Sequence, residues 1–377
     1  MPAFAPPVHA EAAPGALAAP RVVASGAPIW FSGLGFEPGV VVQLELLRSK
    51  EYGLVATGRA DARGRVRLRF RPRRIRRRYR FRYAAGARSG TLLVRSRPVR
   101  LAAFGDVNLG DGPGAAIARR GYRYPWTSVR PVLRRADVAF GNLECAVSRR
   151  GHAVPKEFNF RGRPRSLRVA AGFAGLDVLN LANNHTGDYG RAALLDTVHY
   201  VRRFGMVAVG AGGSIQAARK PRVVRRLGLR IAFVGFSDIG PYSFGAGPRK
   251  AGTSLASPGA VTAGVRAARR RGDVVVATFH WGAERHGSPS GRQRSLAATA
   301  LRAGADAVIG AHPHVLQPIR RRGRRLVAYS LGNFVFSAGS PGTTRTGILI
   351  LRLSSRGVES ARFRRAVIRY SRPVLLR

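Results

Sequence analysis

Five apolar runs in this 377-residue chain end in the same way, on polar side chains able to hold a cation or move a proton. Val99 to Phe104 leads into Gly105-Asp106-Val107-Asn108, Val138 to Phe140 into Gly141-Asn142-Leu143-Glu144, and Val178 to Leu181 into Asn183-Asn184-His185. Val274 to Phe279 leads into His280-Trp281-Gly282, and Ala307 to Ile309 into Gly310-Ala311-His312-Pro313-His314. In an open α/β sheet, ligands bind beyond the carboxyl ends of the strands, so residues far apart in sequence can share one site there. Asp106, Glu144, Asn184, His280, His312 and His314 offer two carboxylates, one amide oxygen and three imidazoles. That mixed hard and borderline set suits Mn, Fe or Zn better than Ca, and is large enough for a dinuclear site. His312 and His314 would point the same way on a strand, whereas a turn would let each reach a different metal.

Each of these residues also has a plainer reading. Asp106 and Asn108 are favoured helix-capping types, but the four other strand ends of the same design point to ligation. His185 has Asp188 nearby to orient its ring, while Asn183 reads as the structural member of its pair. Glu284 and His286 follow His280 in a loop and read as surface residues. Arg161 and Asn108 stand as candidate substrate contacts, Arg161 as a grip for an anionic group. Cys145, the one cysteine, reads as a buried filler. Trp281 and Phe334 fit either a pocket wall or plain packing.

These residues need a frame. After Pro98 the chain alternates apolar strands with amphipathic helices, the grammar of an α/β domain. Helices are predicted over Thr127 to Arg135, Ser166 to Ala174, Arg191 to Phe204, Ala260 to Arg271 and Arg292 to Ala303, and closing strands over Thr346 to Leu353 and Ala366 to Tyr370. Before Pro98 the pattern is short strands: Pro28 to Ser32, Val40 to Leu47, Leu54 to Thr57, Arg65 to Phe70, Tyr79 to Tyr83 and Thr91 to Val94. Arg65 to Phe70 alternates strictly, with one face apolar and the other basic. The expected domains are residues 21–97, a small all-β immunoglobulin-like sandwich, and 98–377, the α/β domain. Residues 1–20, rich in Ala and Pro, read as a disordered tail or as the remnant of a signal segment ending near Val8-His9-Ala10.

With 66 Lys+Arg against 18 Asp+Glu the formal net charge is +48, a charge that attracts polyanions without selecting among them. Only four of these cations are lysines (Lys50, Lys156, Lys220 and Lys250), so the arginine excess fits a coding bias as well as a binding surface. The arginine runs lack a recognisable nucleic-acid module, so no specific nucleic acid is expected. A single cysteine excludes an intrachain disulfide and a thiolate cluster. No transmembrane segment is predicted in the chain as given.

The supporting words come in a fixed order. They are Gly105-Asp106, Asn142-Leu143-Glu144, Leu181-Ala182-Asn183-Asn184-His185-Thr186 with Asp188 and Gly190, and His280-Trp281-Gly282 with Glu284. Gly304-Ala305-Asp306 leading to Gly310-Ala311-His312-Pro313-His314, and Ser330-Leu331-Gly332-Asn333-Phe334, complete the series. From about Arg100 to Ser337 the chain thereby resembles the CapA-type, poly-γ-glutamate capsule branch of the calcineurin-like metallophosphoesterase superfamily. The resemblance implies a four-layer α-β-β-α sandwich. It matches Asp106, Asn184, His280, His312 and His314 to the ligands of two divalent ions, and His185 to the histidine that protonates a leaving group. Two positions depart from the superfamily. Its Asp-x-His is here Asp106-Val107-Asn108, so one metal loses an imidazole. Its bridging Asp after Gly is here Asn142, which leaves Glu144 as the candidate bridge. The implied function is capsule or poly-γ-glutamate synthesis, through metal-dependent hydrolysis or transfer on an anionic envelope polymer or a phosphoester. The alternative is a non-catalytic envelope protein that holds such a polymer on its basic surface. The expected location is the cell envelope or outside the cell, with the cytoplasm still open.

Overall fold

The computed structural model describes residues 13–73 and 77–376. Val8-His9-Ala10 and most of the expected leading tail, like Arg74-Ile75-Arg76 in the arginine run, lie outside the described residues. The chain forms two compact units. One holds the chain up to Val99 with Arg225–Leu229 and Ser354–Arg356, and the other holds the rest.

Strict alternation shapes the first unit. Val66, Leu68 and Phe70 are buried while Arg67 and Arg69 between them are exposed, as a half-buried strand requires. Ala16–Ala18 (β1), Ile29–Leu34 (β3) and Val66–Phe70 (β6) make one sheet, in the order β1-β3-β6. Val22–Ala24 (β2), Arg88–Arg97 (β8), Arg78–Ala85 (β7), Val41–Arg48 (β4) and Glu51–Arg59 (β5) make the second, in that order. Both sheets feed one apolar core, in which Phe31 of one meets Phe81 of the other edge to face at 4.9 Å. Each predicted strand overlaps an observed one. Ala16–Ala18 corrects the assignment of these residues to a leading tail: β1 pairs with β3 and buries Leu17. Leu17 adds its side chain to the core, whereas the Ala/Pro composition around it reads as unstructured.

The second unit holds two large sheets. In the first, Val207–Val209 (β14), Val178–Asn180 (β13), Val138–Leu143 (β10), Val99–Val107 (β9), Arg345–Ser354 (β24), Gly357–Arg369 (β25) and Arg372–Leu375 (β26) follow one another, with Asn333–Val335 (β23) also beside β9. In the second the order is Arg222–Arg226 (β16), Leu229–Ser237 (β17), Val274–His280 (β19), Ala307–Ala311 (β20), Arg325–Ala328 (β22) and Ile319–Arg322 (β21). Two short ribbons pair Ala146–Val147 (β11) with Arg161–Gly162 (β12), and Ala211–Gly212 (β15) with Gly252–Thr253 (β18). The central strands are parallel and buried along nearly their whole length, which explains their unbroken apolar runs. Leu133, Leu194 and Val198 from helices pack with Ala102, Ala139 and Leu179 of the first sheet. Val261, Val265 and Leu296 pack likewise with Ala232, Val234 and Val275 of the second. Between the sheets Phe140 stacks on Phe233 at 5.8 Å.

Helices Gly190–Arg203, Pro258–Arg271 and Gly291–Ala303 match predicted ranges to within two residues, and Pro164–Val169 runs into a π-helical turn over Ala170–Ala174. Helix Asp111–Arg120 is absent from the prediction because Gly112-Pro113-Gly114 reads as a turn. Pro113 sits in the first helical turn, where its missing N–H has no partner to lose. Among the described residues no helix is long and apolar enough to cross a membrane.

Parallel register brings the strand ends level: Asp106 lies opposite Asn142, Asn142 opposite Asn180, and His280 opposite Ala311. Glycine sets how closely the backbones meet there. A Cβ on Gly105 would fall 1.7 Å from the carbonyl oxygen of Gly332, and one on Gly310 would fall 2.0 Å from that of Tyr329. Gly105→Ala is therefore expected to lower stability by about 3 kcal/mol. Gly172→Ala, on an open helical turn with nothing within 4 Å, should raise it by up to about 1 kcal/mol. Urea unfolding of the two variants checks both values.

Candidate metal centre

Asp106 is the hub of the strand ends. Its Oδ1 accepts a hydrogen bond from Asn142 Nδ2 at 2.9 Å, and its Oδ2 accepts the backbone N–H of His312 at 3.2 Å. Asn142 Nδ2 also lies 3.2 Å from His280 Nδ1, while Asn142 Oδ1 accepts from Asn180 and Asn183 at 2.9 and 3.3 Å. His280 Nε2 lies 2.8 Å from Asn184 Oδ1 and 3.1 Å from Glu144 Oε1. His314 Nδ1 lies 2.8 Å from Asn333 Oδ1 and 3.4 Å from Asp106 Oδ2. All six predicted ligands thus meet at the carboxyl ends of the strands.

The turn arrangement of the two histidines is the one observed. His312 has φ 96° and His314 φ 59°, both left-handed, with Pro313 between them. For non-glycine residues such backbone costs about 1–3 kcal/mol each and persists only where the surroundings hold it. The twist sends the two rings to different partners. Ligand atoms of Glu144, His280 and His312 lie within 4.8 Å of one another, and so do those of Asp106, Glu144 and His314. Glu144 belongs to both groups.

Electrostatics tests whether these residues fit a cation. Asp106 and Glu144 are fully buried. His280 comes close to Glu144 without hydrogen-bond geometry, so both carboxylate oxygens of Glu144 lack a hydrogen-bond partner, as does His312 Nδ1. Burial and the nearby Asp106 charge push Glu144 well above the usual carboxylate range. Burial, helped by His312 and His314, holds His280 well below the usual imidazole value, and burial with His314 brings His312 down to about 3. At His314 burial opposes the charged form, but Asp106 outweighs it and raises the value. Unpartnered carboxylate oxygens facing neutral imidazoles are what a divalent cation satisfies.

Beside this group lies a second network. His185 Nδ1 is 2.7 Å from Asp188 Oδ2, and the ring stacks on Phe160 at 4.3 Å. Asp188 is fully buried and accepts the Phe160 N–H at 2.7 Å and Lys156 Nζ at 2.5 Å. Lys156 Nζ further donates to the Asn184 carbonyl at 2.7 Å and stands 3.1 Å from His185 Nδ1. Burial, against the pull of Asp188, lowers the basicity of His185. The Asp188 contact occupies Nδ1 and leaves Nε2 to exchange a proton.

The remaining candidates fall elsewhere. Asn108 Oδ1 accepts the Gly110 N–H at 2.8 Å, and Gly110, not Asp106, is the cap of the following helix. Arg161 lays its guanidinium over the Tyr189 ring at 4.1 Å and reaches the Gly151 carbonyl. Asn183 takes the structural role, its Oδ1 accepting the N–H groups of His185 and Thr186. Trp281 and Phe334 are fully buried and stack on Phe279 and Phe104, so both belong to packing. Cys145 accepts from Leu109 N–H at 3.4 Å, and burial pushes its thiol up to about 12. Lys156 is a residue beside the centre to which sequence reasoning assigned no role, and Asn142 and Asn333, quoted in the motifs, take up hydrogen-bonding roles that it did not assign. Lys156 carried one hint, being one of only four lysines among 66 Lys+Arg.

Lys156→Met would leave the Asp188 carboxylate buried beside a neutral imidazole. The expected loss is about 3 kcal/mol or more, measured by urea unfolding, with Asp188→Asn in the same chain recovering most of it.

Residues 100–338 match the family described as bacterial capsule synthesis protein PGA_cap. The PGA biosynthesis protein CapA of Bacillus subtilis is 32% identical over 279 residues, covering 73% of each chain. The capsule biosynthesis protein CapA of Bacillus anthracis is 31% identical, over 67% of this chain and 63% of its own. Among solved structures, the NAD nucleotidase of Haemophilus influenzae aligns with 74% of this chain and 60% of its own, at 10% identity and a TM-score of 0.39. The matched span contains every residue of the centre, and the chain belongs to the bacterial capsule synthesis protein PGA_cap family.

Proposed function

We propose that this chain is a metal-dependent hydrolase or transferase of capsule synthesis, acting in the envelope or outside the cell on poly-γ-glutamate, another anionic envelope polymer or a phosphoester. The carrying observation is Glu144: it is shared by two groups of ligand atoms, fully buried, and without a hydrogen-bond partner on either oxygen. Two divalent ions, Mn, Fe or Zn, fit that arrangement, with Glu144 between them, Asp106 and His314 on one side, and Asn184, His280 and His312 on the other. Support also comes from the names of the relatives, which speak of PGA and capsule biosynthesis. In this reading the second unit is a four-layer α-β-β-α sandwich of metallophosphoesterase type, and the unit up to Val99 an immunoglobulin-like module.

When bound, such ions polarise a scissile phosphoryl or carbonyl group and acidify a water. This chain's own residues supply the rest. Asp188 holds His185 by Nδ1, so the ring presents Nε2 as the acid for a leaving oxygen or nitrogen. Lys156 compensates the Asp188 charge and ties the Asn184 carbonyl to the same network, so acid and ligand keep a fixed separation. The Phe160 ring against His185 limits rotation of the imidazole.

A second reading is a non-catalytic binder of anionic polymer. It rests on Trp30, over whose exposed ring the Arg67 and Arg69 guanidinium groups stand at 4.5 and 5.3 Å. Elemental analysis of tag-free protein separates the two. About two equivalents of Mn, Fe or Zn are expected, reduced in Asp106→Ala and His280→Ala proteins of native circular dichroism. The loaded protein is then expected to shorten poly-γ-glutamate or to cleave aryl phosphoesters, with loss of turnover in His185→Ala. No metal uptake from added Mn or Zn would overturn the enzyme reading, and polymer binding that survives chelation but weakens with salt would favour the binder.

A further inference from the structure

The two groups that share Glu144 are unequal. Around His280 and His312, the Asn184 amide oxygen stands as a fourth donor, 2.8 Å from His280 Nε2. The group of Asp106, Glu144 and His314 has three donors. Asn108 Oδ1 already accepts the Gly110 N–H, and its Nδ2 has no lone pair to give. Catalytic zinc sites commonly combine three protein ligands with one further position, so a three-donor group has room for a fourth ligand.

A fourth lies across the turn. Oxygen and nitrogen atoms of Glu284, His312 and His314 also fall within 4.8 Å of one another. The backbone fixes this approach, since Arg285 N–H donates to the Pro313 carbonyl at 2.8 Å and so ties the loop after His280 to the middle of the His-Pro-His turn. His312, 5% exposed, keeps its Nδ1 without a hydrogen-bond partner. The Glu284 carboxylate is exposed and makes no hydrogen bond or ion pair among the described residues.

We propose that Glu284 is a metal ligand that joins the centre beside His312 and His314, from the loop after His280. This rests on the reading of the strand ends as a cation centre. A third carboxylate makes the donor set of the centre harder, which favours Mn over Zn.

The test is calorimetric titration of Mn and, separately, Zn into chelator-stripped full-length protein, with elemental analysis of the products. Wild type is expected to take two Mn ions per chain. Glu284→Gln and Glu284→Ala are expected to keep the native melting profile and one ion, and to bind the other at least about tenfold more weakly, since even partners outside the ligand shell cost about 10–100-fold. Loss should be greater for Mn than for Zn. Two ions of unchanged affinity in both variants, or a single ion in wild type, would overturn the assignment of Glu284 while leaving a cation centre. A wild type that takes neither metal would overturn the cation centre itself.

Discussion

Two carboxyl groups, Asp106 and Glu144, stand fully buried at the ends of adjacent parallel strands, with the His314 imidazole beside Asp106, and the rest of the site is arranged around that cost. Coulomb repulsion between them is strong where water is excluded. Asn142 answers part of it. Its amide donates to Asp106 and accepts from Asn180 and Asn183, so one neutral side chain ties three strand ends together without adding a third buried charge. The carboxylate comes two positions later, at Glu144. Positions two apart on an extended chain point to the same side, and the longer glutamate covers the added distance.

The imidazoles answer the remainder. Held neutral by burial, His280 and His312 present lone pairs, not charge, to the space beside Glu144. Their directions come from main-chain geometry: His280 closes a strand, and His312 and His314 are turned apart by left-handed backbone pinned through Asp106 and Pro313. Since backbone sets these directions, ligand geometry exists before any ion arrives, which favours tight and selective coordination over adaptable capture. The His185, Asp188 and Lys156 network is balanced separately, a buried acid against an ammonium group.

The ligand set is legible in sequence because each strand is buried on both faces. A run that is apolar throughout makes the first polar residue after it conspicuous, and strand-end location then follows from general α/β topology. Asn142, Asn333 and Lys156 are less legible. Their roles depend on contacts across 36, 19 and 32 positions, so the motif that holds Asn142 or Asn333 does not show what the side chain touches. Helix Asp111–Arg120 is hidden for a local reason, since glycine and proline fill its first turn. Ala16–Ala18 is hidden by composition, because a three-residue edge strand carries too short a pattern to stand out in an Ala/Pro stretch.

Gly105 and Gly310 lead to a different kind of conclusion. Both lie next to ligand-bearing words, yet the atoms that forbid a side chain there are the carbonyl oxygens of Gly332 and Tyr329. The glycines in Gly-Asp and in Gly-Ala-His-Pro-His therefore report backbone crowding and the acids and imidazoles report chemistry, although both are read as one motif. In lineages that abandon the chemistry, selection on the two parts would separate. The glycines would persist for as long as the sheets stay packed, while the ligands drift. A descendant retaining Gly105 but not Asp106 would still look like kin by its spacing, and its inactivity would be visible only at the positions that point into the site.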